Sequence, residues 1–398
     1  MAEIKFLKNK PSSSIIKVIG VGGAGCNAVN HMYNAGIYGV DFIICNTDAQ
    51  VLQNSPVSTK IQLGEALTEG RGAGNQPEKG ELAAIESLED IRGLLKGTKM
   101  LFITAGMGGG TGTGAAPVIA GLAFDMKILT IAVVTVPSRS EGSRRYNQAL
   151  EGVKKMEGLV DSLLVIDNKK LYEIYGNLPA SQAFKKADDI IGTAVKGVVE
   201  IITLPGIINI DFADVHTVLH KSEVFIMGTG TAEGKGRAMD AVLEALESPL
   251  LDRNDIIGCK DILLNITSGD DEVTVSEIGE INDYLQKIAG DDANIIWGNG
   301  RDLQLGNKIN VTIIATRFDK NPSFIIQPEQ FRAKPIADTV VEPVECNLPL
   351  EMVMETNLPL EDRKKKRKRV KAKSGGWFGQ LKIFDFFDDK NDDMNNKY

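Results

Sequence analysis

The chain has 398 residues, which exceeds the size of one ordinary hydrophobic core and predicts two packed domains with extensions. Its 45 Lys and Arg residues stand against 53 Asp and Glu residues, and the net charge of −8 argues against a protein whose whole surface binds nucleic acid. The amino-terminal residues contain no long apolar stretch and no small-residue cleavage site, so they predict no secretory signal, and we expect a cytoplasmic protein.

The first half of the chain alternates apolar runs of strand length with amphipathic segments. Strands are predicted at Ile15–Gly20, Val40–Cys45, Met100–Thr104, Ile128–Val136 and Leu163–Ile166. Between them, Pro77 opens a predicted helix and Gly97 closes it. Strands that alternate with helices predict an α/β fold with a parallel, doubly wound, Rossmann-like sheet.

One long helix is predicted from Ala180 to Thr203, because no proline interrupts it, and at 1.5 Å per residue it would be about 35 Å long. Pro205 and Gly206 then break the pattern. A second, smaller α/β domain is predicted after them, with strands at Val224–Met227, Ile262–Thr267, Ala293–Trp297 and Ile309–Thr316 and helices near Lys235–Glu247 and Val275–Ala289.

The folded pattern ends near Arg317, because Asn321 to Leu360 holds six of the 14 prolines and no sustained apolar period. We therefore predict a flexible segment at 1–12, a nucleotide-binding domain at 13–179, a central helix at 180–203, a second α/β domain at 204–320, a disordered linker with a basic run at 321–373 and a tail at 374–398.

The cysteine and histidine residues predict no metal site. The four cysteines form no C-x-x-C pair, so we interpret them as reduced and mostly buried thiols: Cys26, Cys45, Cys259 and Cys346. His216 and His220 are four residues apart, but no third ligand accompanies them, so we expect them to serve packing.

Glycine-rich loops follow the predicted strands. Gly20 to Gly25 follows a strand and opens a helix, where backbone N–H groups and the helix dipole attract a phosphate. This loop alone fits a dinucleotide-binding dehydrogenase as well as a nucleotide triphosphate site, and a simple tight turn remains a further interpretation.

A second glycine-rich loop, Gly106 to Gly114, favours the triphosphate, because a dinucleotide fold does not need two such loops. A third loop, Gly70 to Asn75, could supply further N–H donors. No G-x-x-x-x-G-K-[ST] pattern occurs, so helix termini and a magnesium ion would have to offset the phosphate charge.

Gly108 to Gly114 reads GGGTGTG, and with these loops the chain resembles the tubulin and FtsZ superfamily of GTPases, most closely the bacterial cell-division GTPases of the FtsZ family, over residues 15–318. The resemblance implies that GTP or GDP is bound and that Mg²⁺ accompanies it. It implies nucleotide contacts from Gly22, Gly23, Ala24, Gly25, Asn27, Asn46, Asp48, Gly72, Ala73, Gly74, Gly108, Gly109, Gly110, Thr111, Gly112 and Thr113.

The same resemblance implies that Glu141 holds the ribose, that Arg145 lies beside the phosphates and ribose, and that Asn168 and Asp188 contact the guanine. A carboxylate at Asp188 can accept hydrogen bonds from N1–H and N2–H₂ of guanine, whereas adenine offers no such donor pair, so we expect GTP over ATP. An ordinary solvated helix face around Asp188 is the alternative.

Asp211 and Asp214 are three residues apart after the predicted break, where carboxylates also serve as ordinary helix caps. If Asp188 touches the base, fifteen helical residues to Thr203 carry the chain roughly 22 Å away. These carboxylates should therefore act on a neighbour in a head-to-tail filament. The resemblance implies this role for Asn209, Asp211 and Asp214.

The chain departs from the family at two places. Val136-Pro137-Ser138 replaces the usual Lys-Pro-Phe, and Gly375 to Phe387 replaces the usual terminal peptide. Membrane-tethering division adaptors are expected to bind the tail, but their identity is not implied. Arg363–Lys373 could contact an anionic membrane or nucleic acid, or it could be a solvated spacer.

Three functions are thus compared: an assembly-dependent GTPase of the cell-division ring at mid-cell beneath the inner membrane, an NAD(P)-dependent oxidoreductase built on Gly20 to Gly25, and a nucleotide-locked polymer without turnover. Asp41, at or before the second strand, is a poor ribose ligand for the oxidoreductase. Asp211 and Asp214 disfavour the locked polymer.

Overall fold

The computed structural model describes residues 14–203, 208–247 and 256–318. The strands in these ranges are β1 (Ile16–Val21), β2 (Asp41–Asn46), β3 (Thr59–Gln62), β4 (Met100–Gly106), β5 (Leu129–Val136), β6 (Ser162–Asp167), β7 (Glu223–Glu233), β8 (Cys259–Ser268), β9 (Asn294–Arg301) and β10 (Lys308–Phe318). The helices are α1 (Gly22–Asn34), α2 (Ala49–Gln53), α3 (Glu65–Thr68), α4 (Pro77–Glu86), α5 (Leu88–Leu95), α6 (Thr111–Asp125), α7 (Ser143–Met156), α8 (Asn168–Tyr175), α9 (Ala180–Thr203), α10 (Phe212–Leu219), α11 (Arg237–Leu246) and α12 (Val275–Ala289).

The strands form one ten-stranded sheet in the order β3-β2-β1-β4-β5-β6-β7-β10-β8-β9. The first seven strands are parallel, and β10 is antiparallel to both β7 and β8. Strand order reverses between β1 and β4, which are direct neighbours. In an open α/β sheet, such a switch point opens a crevice at the carboxyl ends of the strands, where ligands bind.

Helices cover both faces of the sheet. Apolar side chains of α1 and α9 pack against one face, and those of α4, α5, α6 and α7 pack against the other. Helices α11 and α12 cover the part of the sheet built by β7, β8 and β10. Strands β1, β4 and β5 are therefore buried on both faces, which explains their continuous apolar sequences.

Helix α9 has the bounds predicted from the sequence. Its buried positions recur at helical spacing and include Ala187, Ile191, Ala194 and Val198. Its end reaches the amino edge of the sheet: a Cβ added to Gly39, just before β2, would lie 2.7 Å from a side-chain carbon of Thr203. The long helix therefore connects α1, on which it packs, to the edge where the parallel strands begin.

One predicted helix was wrong, and one strand was missed. The single helix between Pro77 and Gly97 is two helices, because Ser87 at their junction accepts a hydrogen bond from the Gly64 amide at 3.1 Å and donates to the Gln62 carbonyl at 3.3 Å. Strand β3 was not predicted at all. The other predicted strands were found, most of them within a few residues of their predicted bounds, whereas β7 continues to Glu233 beyond its predicted end at Met227.

The strands of the two predicted domains join through β6 and β7, which pair over two residue positions. The domain boundaries themselves remain predictions. The predicted flexible segment, Pro205 and Gly206, Cys346, the basic run and the tail lie outside the described residues. In the part of the chain that the structure describes, no helix is long and apolar enough to cross a membrane.

Candidate functional site

Two glycine-rich loops meet at the switch point of the sheet. Val21 at the end of β1 pairs with Ala105 near the end of β4, so α1 and α6 begin side by side. A Cβ added to Gly22, whose φ is +72°, would lie 2.8 Å from the Gly112 amide nitrogen. Only glycine allows this approach, which brings the two helix N-termini together.

Neither α1 nor α6 has a side chain that caps its first turn. The helices have 13 and 15 residues, and each presents unsatisfied N–H groups and the positive end of its dipole at its start. Two such termini side by side form an anion site that suits a polyphosphate better than a single phosphate.

The third glycine-rich loop, Gly70 to Asn75, packs against the second, Gly106 to Gly114. A Cβ added to Gly110 would lie 2.8 Å from the Ala73 side chain, and the hydroxyls of Thr47 and Thr111 lie 2.6 Å apart. The Gly72 amide donates to the Thr47 carbonyl at 3.0 Å. The prediction that this loop supplies free N–H donors is therefore wrong for Gly72, whose N–H group fixes the loop instead.

Both hydroxyls of the GGGTGTG segment take part in its own structure. The Thr113 hydroxyl accepts from the Gly108 amide at 2.8 Å, and Thr111 is bonded to Thr47. Thr47 is fully buried and was not among the predicted site residues. No local pattern indicated it, because its partner is 64 positions away in the sequence.

A polar cluster at the start of α7 and α8 borders the same loop. Glu141 accepts from the Ser138 amide at 3.0 Å and from the Asn168 side-chain amide at 3.2 Å, and Arg145 lies 3.7 Å from it. A Cβ on Gly108 would lie 2.6 Å from the Arg145 carbonyl oxygen. The structure thus brings Glu141, Arg145 and Asn168 to the edge of the second glycine-rich loop.

One atom of this cluster is suited to a ligand. Asn168 Oδ1 is buried and has no hydrogen-bond partner among the residues described. A buried acceptor of this kind is costly unless a donor reaches it. Ser138 belongs to the same cluster, because it forms a reciprocal capping box with Glu141.

Asp188 lies on α9, which packs against α1. It is partly buried. Burial, and then the charge of neighbouring Asp189, raise the pKa of Asp188 to about 6. A desolvated carboxylate in a cleft is a common mark of a functional site.

Other predicted nucleotide contacts have structural roles. The Asn46 side chain accepts from the Asp48 amide at 3.2 Å, and Asp48 accepts from the Gln50 amide at 2.9 Å, so both shape the turn after β2. Ala24 packs against Gly106, where an added Cβ would lie 2.6 Å from it. Gly25 is buried, whereas Gly23, Asn27, Gly74 and Gly109 are partly or fully exposed.

The acidic pair lies elsewhere. Asp211 and Asp214 form a reciprocal capping box at the start of α10, with distances of 2.9 and 3.1 Å between carboxylate oxygens and backbone amides. Asp211 and Asn209 are exposed, and Asp214 is partly exposed. One oxygen of each carboxylate serves the box, which is the ordinary capping role considered from the sequence.

The chain on either side of the acidic pair is held at the amino edge of the sheet. The chain approaches it from Thr203, next to Gly39, and leaves α10 at His220, whose Nδ1 lies 2.6 Å from Asp161 just before β6. The glycine-rich loops lie at the opposite, carboxyl edge. The structure therefore does not bring Asp211 and Asp214 to the glycine-rich loops of the same chain.

The described cysteines are buried, and the two neighbouring histidines pack on each other, as expected. Cys26, Cys45 and Cys259 are buried free thiols. His216 and His220 stack with their ring centroids 4.8 Å apart. No group of three or more His, Cys, Asp or Glu side chains that could hold a metal ion occurs in the part of the chain that was searched.

Family models match both halves of this structure. Residues 15–176 match the model of the tubulin/FtsZ family GTPase domain, and residues 224–319 match the model of the FtsZ family C-terminal domain. Two relatives are cell division proteins FtsZ. The chain is 47% identical to that of Pseudomonas putida over 313 residues, 78% of each chain. It is 48% identical to that of Porphyromonas gingivalis over 309 residues, 77% of this chain and 67% of the relative.

Solved structures agree with the family models. The empty FtsZ dimer of M. jannaschii has a TM-score of 0.71 and 42% identity, and the match covers 77% of this chain and 88% of that one. A GTPγS-bound protofilament of CetZ2 from Haloferax volcanii has a TM-score of 0.66 over 78% of this chain and 96% of that one, and at 20% identity it shares the fold alone.

Proposed function

The chain belongs to the tubulin/FtsZ family of GTPases, and from that premise we propose that it is a polymerising cytoskeletal GTPase of bacterial cell division that hydrolyses GTP where two subunits meet. Its GTPase domain at residues 15–176 converts GTP to GDP and phosphate. The finer proposal concerns which residues do so and why a second copy is needed.

In this proposal, the polyphosphate of GTP binds the N-termini of α1 and α6. The site fits the group, because glycine at position 22 lets the two helix N-termini approach each other and glycine at position 108 lets the second loop pack on Arg145. Glu141 would hold the ribose, and Arg145 would lie beside the phosphates and ribose. Asn168 Oδ1 offers a buried acceptor to a donor of the base, and the Asp188 carboxylate would accept from guanine N1–H and N2–H₂.

The observation that carries the proposal is the separation of the two half-sites. The glycine-rich loops occupy the carboxyl edge of the sheet, and the chain on both sides of Asp211 and Asp214, at Thr203 and His220, lies at the amino edge. Copies stacked head to tail would place the acidic pair of one subunit over the phosphates of the next. Such a heterologous contact extends into a filament instead of closing.

At this joint, the carboxylate oxygens of Asp211 and Asp214 that the capping box leaves unused would orient the attacking water. Asn209, on the same loop, would assist them. The amides of the glycine-rich loops would stabilise charge that develops on the β- and γ-phosphates. Mg²⁺ would neutralise phosphate charge, and we expect phosphates and water to hold it.

The oxidoreductase alternative has little support. Asp41 begins β2, and its carboxylate accepts from the Ser14 amide at 2.9 Å, so it lies at the edge of the sheet opposite the glycine-rich loops. A ribose ligand belongs at the other end of that strand.

For the segments outside the described residues, the proposal rests on sequence. We propose that the tail at 374–398 binds membrane-tethering division adaptors at a mid-cell ring beneath the inner membrane. Arg363–Lys373 would add a weak contact with anionic lipid. Undiminished co-sedimentation with anionic vesicles after deletion of residues 361–373 would eliminate the lipid contact.

GTP turnover at increasing protein concentration tests the need for a second copy. We expect phosphate release per subunit to rise steeply above the concentration at which filaments form. Asp214→Ala should bind GTP and assemble but turn over at least about a hundredfold more slowly, as when a group that acts only in the transition state is lost. A specific activity that does not change on dilution would contradict the shared site.

A further inference from the structure

Helices α1 and α9 are joined by an ion pair beside the proposed base-reading carboxylate. His31 Nε2 on α1 lies 2.9 Å from Asp189 Oδ1 on α9, and Lys186 lies 3.4 Å from the other oxygen of Asp189. The side chains of His31 and Asp189 are only 29% and 35% exposed. The imidazole also packs on α9, since a Cβ on Gly192 would lie 3.7 Å from its Cδ2.

This ion pair joins the helix that begins at the phosphate crevice, α1, to the helix that carries Asp188, α9. Helix α1 begins at Gly22 in the phosphate crevice, and His31 follows nine residues later, roughly 13 Å along the helix axis. Asp189 directly follows Asp188. The hydrogen bond from His31 therefore fixes the part of α9 that carries Asp188 against the helix that holds the phosphates.

We propose that His31 and Asp189 are positioning residues for base selectivity, which hold the Asp188 carboxylate at a fixed distance from the phosphate crevice so that it accepts two hydrogen bonds from guanine. The inference rests on the proposed role of Asp188. Neither residue touches the nucleotide; both act through the placement of α9 on α1.

The physical reason is geometric. Hydrogen bonds weaken steeply when donor and acceptor are misaligned, and two parallel bonds to one carboxylate tolerate less rotation than one. The phosphates are held by α1 and α6, independently of α9. A loosened α9 should therefore reduce discrimination between bases more than it reduces the binding that the phosphates provide.

The test compares equilibrium binding of GTP and ITP to the full chain, at a protein concentration below assembly. ITP lacks the N2 amino group, so one hydrogen bond to Asp188 is lost, and the intact chain should prefer GTP roughly tenfold or more. His31→Ala and Asp189→Ala should reduce this ratio at least threefold. His31→Gln, whose side-chain N–H can still reach Asp189, should restore most of it.

Lys196→Ala is the matched control, because it removes an ion pair of 3.4 Å with Glu200 on the same helix, away from the base. It should leave the ratio unchanged. If His31→Ala weakens GTP and ITP equally, or His31→Gln fails to restore the ratio, the pair is merely structural and the inference is wrong. If the intact chain does not prefer GTP, or Asp188→Asn keeps the preference, the role of Asp188 itself is wrong.

Discussion

A carboxylate that accepts two hydrogen bonds from guanine must be ionised, and at Asp188 burial opposes ionisation. With its pKa at about 6, Asp188 is mostly ionised at pH 7 and mostly protonated at pH 5. Below pH 6, Asp188 must lose its proton before the carboxylate can accept both hydrogen bonds from guanine. We therefore expect GTP affinity to fall up to about tenfold for each pH unit below 6.

Binding of GTP between pH 5 and pH 8, compared for the intact chain and Asp188→Asn, measures this effect. The nucleotide phosphates also titrate in this range, but they do so equally in both proteins. Asp188→Asn should bind weakly without the additional pH dependence. Parallel pH profiles for the two proteins would show that Asp188 does not read the base.

The carboxylate of Glu277 makes the free energy of unfolding depend on pH. Arg237 is only 4% exposed, and its hydrogen bonds to Glu277, at 2.7 and 3.2 Å, lower the pKa of Glu277 to about 2 from 4.5. Because the folded pKa is lowered, this stabilisation is present above pH 4.5 and is lost as the pH falls toward 2. The shift corresponds to roughly 3 kcal/mol.

Glu277→Gln should reduce the free energy of unfolding by about 3 kcal/mol at pH 7 and flatten its decline between pH 4.5 and 2. Urea unfolding at several pH values provides the measurement, and Glu280→Gln on the same helix is the control. Equal stability of Glu277→Gln and the control at pH 7 would contradict the role given to the Arg237 pair.

At the residue scale, sequence indicated the glycine-rich loops because glycine at fixed spacing is a local signal. It did not indicate the contacts of Thr47 or His31. Each acts through a partner that only the fold brings near, Thr111 for Thr47 and Asp189 for His31. Spacing along the chain holds no information about such contacts.

At the element scale, the start of α10 combines a structural and a catalytic role, and one substitution separates them. Asp211→Asn retains a good N-cap, so stability should change by less than about 0.5 kcal/mol. GTP turnover should nevertheless fall at least about tenfold, because the charge that orients water is lost. Asp211→Ala should lose both the helix cap and GTP turnover, and the lost cap should lower the free energy of unfolding by about 0.5–2 kcal/mol.

Thermal unfolding and phosphate release, measured for both variants under assembly conditions, distinguish these roles. Full turnover by Asp211→Asn would mean that this carboxylate serves only as a helix cap. In that case the capping box with Asp214 would be sufficient explanation for both residues.

Sequence predicted the long elements well and the short ones poorly. Helix α9 and strands β4 and β5 have strong, continuous patterns, and their positions were predicted. Strand β3 has four residues and one buried apolar side chain, Ile61, which is too little for a period. The break at Ser87 comes from hydrogen bonds to Gly64 and Gln62, which no helical pattern indicates.

At the scale of the whole molecule, the strands of the two predicted domains form one ten-stranded sheet, and its two parts meet where β6 and β7 pair. No local sequence pattern indicates this pairing, because α8, α9 and α10 separate the two strands in the chain. The domain boundaries remain predictions. Helix α9 ends at the edge opposite the glycine-rich loops, as its predicted length implied.

Mixing two inactive variants tests the shared site most directly. Asp214→Ala retains the proposed nucleotide site, and Asp188→Asn retains the acidic pair. Each alone should release little phosphate from GTP. In an equal mixture, about one joint in four would pair an intact nucleotide site with an intact acidic loop if copies associate at random.

We predict that the mixture hydrolyses GTP well above the sum of its components, and that replacing Asp188→Asn by the double variant Asp188→Asn, Asp214→Ala abolishes the gain. A mixture no more active than the sum, although both variants are folded and Asp214→Ala binds GTP, would contradict the claim that one subunit completes the site of the next.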